Sequence, residues 1–284
     1  MSWREQIFTV GEPNSLNGVL TLPDEDSQGE VALILLNSGL MHHVGTCNLS
    51  VKIARIVVQQ GVPTCRFNFS GIGDSRARSF SGSHEEREVS EIQEVMDELS
   101  SQFGYSSFML LGLCSGADAA FAAAKIDARV VGIVQIDPHC VRSMKWYFYK
   151  YYRKITDNSF WRRVYRRITG QKLWFDGLAK EFLEEIDGPN RHQFDKETFA
   201  AGYAQLVQRE VSTLVIMTSG QKGCYNYEGQ FREVFGLNVF GAALEEHYLK
   251  QTRHIISEPE DQILVTNWVK SWVSEVSSNR MSLT

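Results

Sequence analysis

The chain has 284 residues, 43% hydrophobic and 22% charged, with a formal net charge of −5. That is enough for one large core but short for two independent domains, and its acidic balance makes no electrostatic case for a nucleic-acid partner. No apolar run nears the ~20 residues of a bilayer-spanning helix, and the polar opening residues lack the apolar core of a secretory signal.

In chain order, Gln6–Val10 and Gly18–Leu22 alternate on either side of a Gly-Glu-Pro-Asn-Ser turn and predict an opening hairpin. Val31–Leu36 is a continuous apolar run, the pattern of a strand covered on both faces. Leu49–Gln60 has helical spacing, and Pro63–Phe69 reads as the next strand. His84–Phe103 is a charged amphipathic helix with Val89, Ile92, Val95, Met96 and Leu99 on one face. Phe108–Leu111 is a short strand, Ala117–Ala124 an alanine-rich helix, and Val130–Ile136 and Ser212–Met217 are two more buried strands. Asp261–Val276 closes the chain as a helix. Strands alternating with helices predict a mostly parallel sheet with right-handed crossovers. The stretch 139–210 is too long for an ordinary crossover and is expected to be a helical cap inserted into a core of residues 1–138 and 211–284.

Between the Phe108 strand and the alanine helix stands Gly112-Leu113-Cys114-Ser115-Gly116. A sharp strand-to-helix turn strains its central residue and requires small neighbours two positions either side, which the two glycines supply. The turn would expose the Cys114 thiol at a helix N-terminus, where the dipole favours the thiolate. Ser115 stands out of register for the nucleophile, because Leu113 occupies the place of the first glycine. The five cysteines (47, 65, 114, 140 and 224) form no CxxC pair; free thiols in a reducing cytoplasm are expected.

Three segments share a pattern with the elbow: Leu36-Asn37-Ser38-Gly39-Leu40, Arg66–Ser75, and the region around His254. With them the chain resembles the α/β-hydrolase superfamily, its serine-aminopeptidase-like branch, and within that branch the hydrolases of exosortase and exopolysaccharide loci. The resemblance implies an α/β-hydrolase fold whose central sheet is flanked by helices and interrupted by the cap. It also implies an oxyanion hole made by the N–H groups of Leu40 and Ser115, since Ser38-Gly39 stands where many relatives have His-Gly. The base is expected last in the chain, which selects His254 over His247, a residue of the strand itself. Relatives place an acid just beyond the strand corresponding to Ser212–Met217, but that loop, Thr218–Cys224, has no carboxylate. Asp137 at the end of the preceding strand, Glu228 further along the loop, or no acid at all are the open alternatives, with Asp137 preferred. Asp74, in the Gly71-Ile72-Gly73-Asp74-Ser75 turn, is given a structural role.

His42 and His43 have no Asp, Glu or Cys at ligand spacing, so no metal is expected, and nothing calls for another cofactor. Residues 142–172 carry ten Lys or Arg against Asp157 alone, interleaved with nine aromatics, with Trp174 just beyond. That pattern fits a solvated basic face, a lid attracting an anionic acyl substrate, or a peripheral membrane contact. The chemistry predicted is hydrolysis of an ester or thioester, small or carrier-bound, through an acyl-enzyme on Cys114. Acyl transfer by the same residues, or a non-catalytic binding protein of the same fold, are the alternatives.

Overall fold

The protein's structure, a computed structural model, describes residues 2–11, 16–24, 30–156, 161–162, 165, 196–221, 223–236 and 243–281. Eight strands form one sheet: β1 (Trp3–Val10), β2 (Leu16–Pro23), β3 (Val31–Leu35), β4 (Thr64–Phe67), β5 (Ser107–Leu113), β6 (Val130–Ile136), β7 (Ser212–Thr218) and β8 (Leu244–Leu249). Their spatial order is β1-β2-β4-β3-β5-β6-β7-β8. The opening hairpin pairs antiparallel and joins β4 antiparallel; every pairing from β4 to β8 is parallel.

Helices α1 (Leu49–Val57), α2 (His84–Phe103), α3 (Ser115–Ile126), α4 (Met144–Thr156), α5 (Lys196–Gln208), α6 (Gln230–Phe235) and α7 (Pro259–Met281) supply the flanking layers. Two apolar clusters result, one on each face of the sheet. α2, α3 and the hairpin build the first, and α1 and α7 the second. The unbroken apolar runs of β3 and β6 follow from this, since every residue of both strands is buried. α2 starts at a capping box in which Ser83 and Glu86 each accept the other's N–H, and it stops where Gly104 turns left-handed.

The predicted elements recur with shifted ends. The helix expected to run to Gln60 leaves the α-form at Val57 and finishes as a 3-10 turn before the left-handed Gly61. The strand expected over Pro63–Phe69 shortens to Thr64–Phe67; Asn68 still donates its N–H to Asn17 of β2, but the Phe69 N–H turns to the Asn37 side chain. Short α6 lies in a stretch with no periodic signal. Of the expected cap, α4 and α5 are described; Lys172, Trp174 and most of the residues between the two helices lie outside the described residues. α5 packs on α3 through Tyr203 against Phe121, and the Tyr203 hydroxyl donates to buried Gln135 at 2.9 Å.

The parallel strands β3, β5, β6, β7 and β8 end on the same edge, which carries 37–43 after β3, Cys114 after β5, Asp137 after β6, Thr218–Gly220 at the end of β7, and His254 after β8. Functional groups of open α/β sheets gather at this carboxyl edge.

Candidate active site

Cys114 is the residue between β5 and α3, with φ 57° and ψ −118°, a conformation L-residues rarely adopt. Its N–H donates to the Ile136 carbonyl at 2.8 Å, and its own carbonyl accepts the N–H groups of Ala117 and Asp118. Both glycines are needed. A Cβ on Gly112 would lie 2.1 Å from the Gly116 backbone, and one on Gly116 would lie 2.3 Å from the Asn37 carbonyl oxygen. The elbow is thus pressed against the loop after β3 as well as against itself.

That loop is a turn in which Met41 N–H donates to Ser38 O at 3.0 Å, with Gly39 at φ 55°. The Gly39 N–H donates to the Ser115 hydroxyl at 2.7 Å, stitching the turn to the residue after Cys114. Buried Asn37 braces it from below: its side-chain oxygen accepts the Phe69 N–H at 2.7 Å, and its amide donates to the Met41 carbonyl at 2.6 Å. Leu40 stands between these two engaged N–H groups of the turn. Ser115, at the first position of α3, has an N–H with no partner within its own helix. Leu40's side chain is exposed.

His254 lies between β8 and α7. Its ring Nδ1 is 2.6 Å from Asp137 Oδ2, and the Cys114 thiol is hydrogen-bonded to the same ring. With Nδ1 engaged by the carboxylate, Nε2 is the nitrogen left for sulfur. The Asp137 contact chiefly, then the Cys114 contact, raise the His254 pKa to about 9 against the opposing effect of burial. Cys114 is 6% exposed and Asp137 fully buried.

Asp137 sits at φ 49°, a second strained non-glycine position on the same edge. Its N–H donates to Ile216 O at 2.8 Å, extending the β6–β7 ladder by one residue. Its Oδ1 accepts the Thr218 N–H and its Oδ2 the Thr218 hydroxyl, both at 2.6 Å. The end of β7 therefore holds the carboxylate without supplying it. Gly220 seats His254: a Cβ there would lie 2.4 Å from the His254 backbone nitrogen.

The remaining candidates are elsewhere. Glu228 is exposed and pairs with Lys250 at 3.8 Å. His247, on β8, contacts Glu245 and stacks on Trp268 at 4.1 Å. His42 lies 3.2 Å from Asp74 and packs at a tilt on the ring of His43, whose pKa burial pushes down to about 4. Gly73 belongs to that bracing, since a Cβ there would meet Asn68 and His42 at 2.6 Å. Among the described residues no group of three or more His, Cys, Asp or Glu is placed to hold a metal ion, and no helix is long and apolar enough to cross a membrane. In the basic segment, Trp146 is buried, Met144 and Phe148 are exposed, and Lys145 pairs with Glu233 at 3.4 Å.

The similar solved structures include an esterase of Pyrococcus furiosus at 13% identity, with 98% of this chain and 91% of that one covered at TM-score 0.60. An α/β serine hydrolase without lid from Xanthomonas campestris matches at 16% identity, 96% and 94% coverage and TM-score 0.55. An α/β serine hydrolase homologue from Coxiella burnetii matches at 16%, 94% and 96%, and 0.55. This chain has the α/β-hydrolase fold. No family model and no curated protein matches its sequence. Against the α/β-hydrolase pattern, two groups escaped sequence reasoning. The Ser115 hydroxyl and Thr218 both act through contacts 76 and 81 residues distant in sequence, and no local signal marks either.

Proposed function

We propose that this α/β-hydrolase cleaves an ester or thioester through a thioester-linked acyl-enzyme on Cys114. The observation that carries the reading is the continuous chain from the Cys114 thiol through the His254 ring to Asp137. A cationic imidazole beside a thiol favours the thiolate, the form that attacks.

The sulfur adds to the substrate carbonyl carbon, and the C=O electron pair moves onto oxygen, where the N–H groups of Leu40 and Ser115 receive it. Such donors contribute about 3 kcal/mol each where charge develops. Collapse expels the alcohol or thiol, which takes the proton from His254. Water then attacks the thioester carbonyl as His254 removes its proton, and the C–S bond breaks to return the thiolate. Asp137 holds the ring and stabilises its charge throughout. The acid's site after β6 explains why the β7 loop needs no carboxylate.

The substrate is an acyl group on a small molecule or a carrier, and the serine-aminopeptidase-like motifs, with their likeness to hydrolases of exopolysaccharide loci, make an acyl-modified saccharide one candidate. All five cysteines are free thiols, which suits a reducing cytoplasm. The low exposure of Cys114 favours a second reading, acyl transfer to an alcohol or amine in place of water.

A p-nitrophenyl ester assay tests this. A burst of nitrophenol, an acyl adduct on Cys114 by mass spectrometry and loss of both in Cys114→Ala are expected. An added alcohol that captures the acyl group in preference to water selects transfer. No adduct and no His254-dependent alkylation at any pH leaves a binding protein of this fold.

A further inference from the structure

We infer that Thr218 is a positioning residue for the proposed reaction, a two-point clamp that holds the Asp137 carboxylate at the ring of His254. The inference rests on the Cys114 reading above and adds to it a residue that no motif marks.

The geometry leaves Asp137 little freedom. Its two oxygens meet three donors: the Thr218 N–H on Oδ1, and the Thr218 hydroxyl and the His254 ring on Oδ2, each at 2.6 Å. The hydroxyl is itself oriented, because its oxygen accepts the Gly220 N–H at 3.1 Å and its proton is left for the carboxylate. Asp137 and Thr218 both have no exposed surface, so bulk water cannot replace a lost donor. The carboxylate also starts from a strained backbone, φ 49°, and such positions persist only where their surroundings hold them. Two residues further on, Gly220 lies against the His254 backbone. One short segment therefore clamps the acid and seats the base, and any shift of Thr218 is felt at both ends of the Asp137–His254 contact.

The test is Thr218→Val, which keeps the N–H bond and the branched shape while deleting the hydroxyl, with Thr218→Ser as the rescue. In the full chain, kcat/KM for the p-nitrophenyl ester should fall about 10- to 100-fold, the range for groups that orient a catalytic ligand or base. KM should stay unchanged, and Thr218→Ser should recover most of the loss. By NMR, the His254 titration midpoint should move down in Thr218→Val and return in Thr218→Ser, a change that mere loss of packing would not produce. Should the valine variant not fold, Thr218→Cys, of similar size but a weak donor, is read in the same way. Unchanged kcat/KM, or a loss of activity with the His254 midpoint in place, overturns the clamp. Failure of the nucleophile reading is separate: wild-type protein would then form no Cys114 adduct, while the His254 titration would still report whether Thr218 orders Asp137.

Discussion

Two strained residues of the carboxyl edge, Cys114 and Asp137, are specified in different ways. Cys114 is held by its immediate neighbours, with Gly112 and Gly116 within two residues and the backbone of α3 starting at once. Asp137 is held by residues about 80 and 117 positions away, Thr218 and His254. A nucleophile at an elbow depends on backbone geometry, which sequence spacing encodes. An acid depends only on a carboxylate reaching one point in space, and the ends of two adjacent strands, β6 and β7, both reach it. In the proposed mechanism the acid can therefore come from either strand end while the elbow stays rigid.

The largest break in that comparison is expected at the locally specified residue. Cys114→Ala should abolish the acyl adduct and lower kcat/KM on the order of 10³-fold or more, measured by ester hydrolysis. Asp137→Asn should cost less, about 10²-fold, because a thiolate leans less on its acid than an alkoxide does; the same assay, with the His254 midpoint displaced downward by NMR, checks it.

The pH profile sharpens the link between the two. With the His254 pKa raised to about 9, kcat/KM should fall above that pH as the ring loses the proton that the proposed mechanism passes to the leaving group. The sign for stability is the same. A raised pKa in the folded state contributes stability fully present below the free-imidazole value of 6.5, and lost as pH rises through about 9. Denaturant titrations across that window should show the decline in wild-type protein and a flatter curve in His254→Gln. The smallest effect belongs to the unused acid: Glu228→Gln should leave kcat/KM unchanged, since its partner is Lys250 on the surface. A loss comparable to that of Asp137→Asn would move the acid back to the β7 loop.

Much of this was legible before the structure. The buried runs of β3, β5, β6 and β7 are apolar because both faces are covered, and continuous apolar runs are readable. The position of His254 followed from chain order, a matter of topology. The sequence offers Asp137, Glu228 or no acid, and the choice among them needs the carboxylate's distance to the ring. Thr218 and the Ser115 hydroxyl left no trace, because a threonine ending a strand and a serine opening a helix are common everywhere. The short α6 was missed for the same reason, as it has too few residues for a period to show.

By itself the sequence determined the alternation of strands and helices, the tight bend at Cys114 and the order of the chemical groups along the chain, because periodicity and small-residue spacing are local properties. Only the tertiary structure decided which carboxylate meets His254, which hydroxyls hold the acid and the turn after β3, and where Glu228 and His247 go. The contacts of Ser115, Thr218 and Asp137 join strand ends brought together by the parallel sheet, and their geometry depends on register and burial between residues 76 to 117 positions apart.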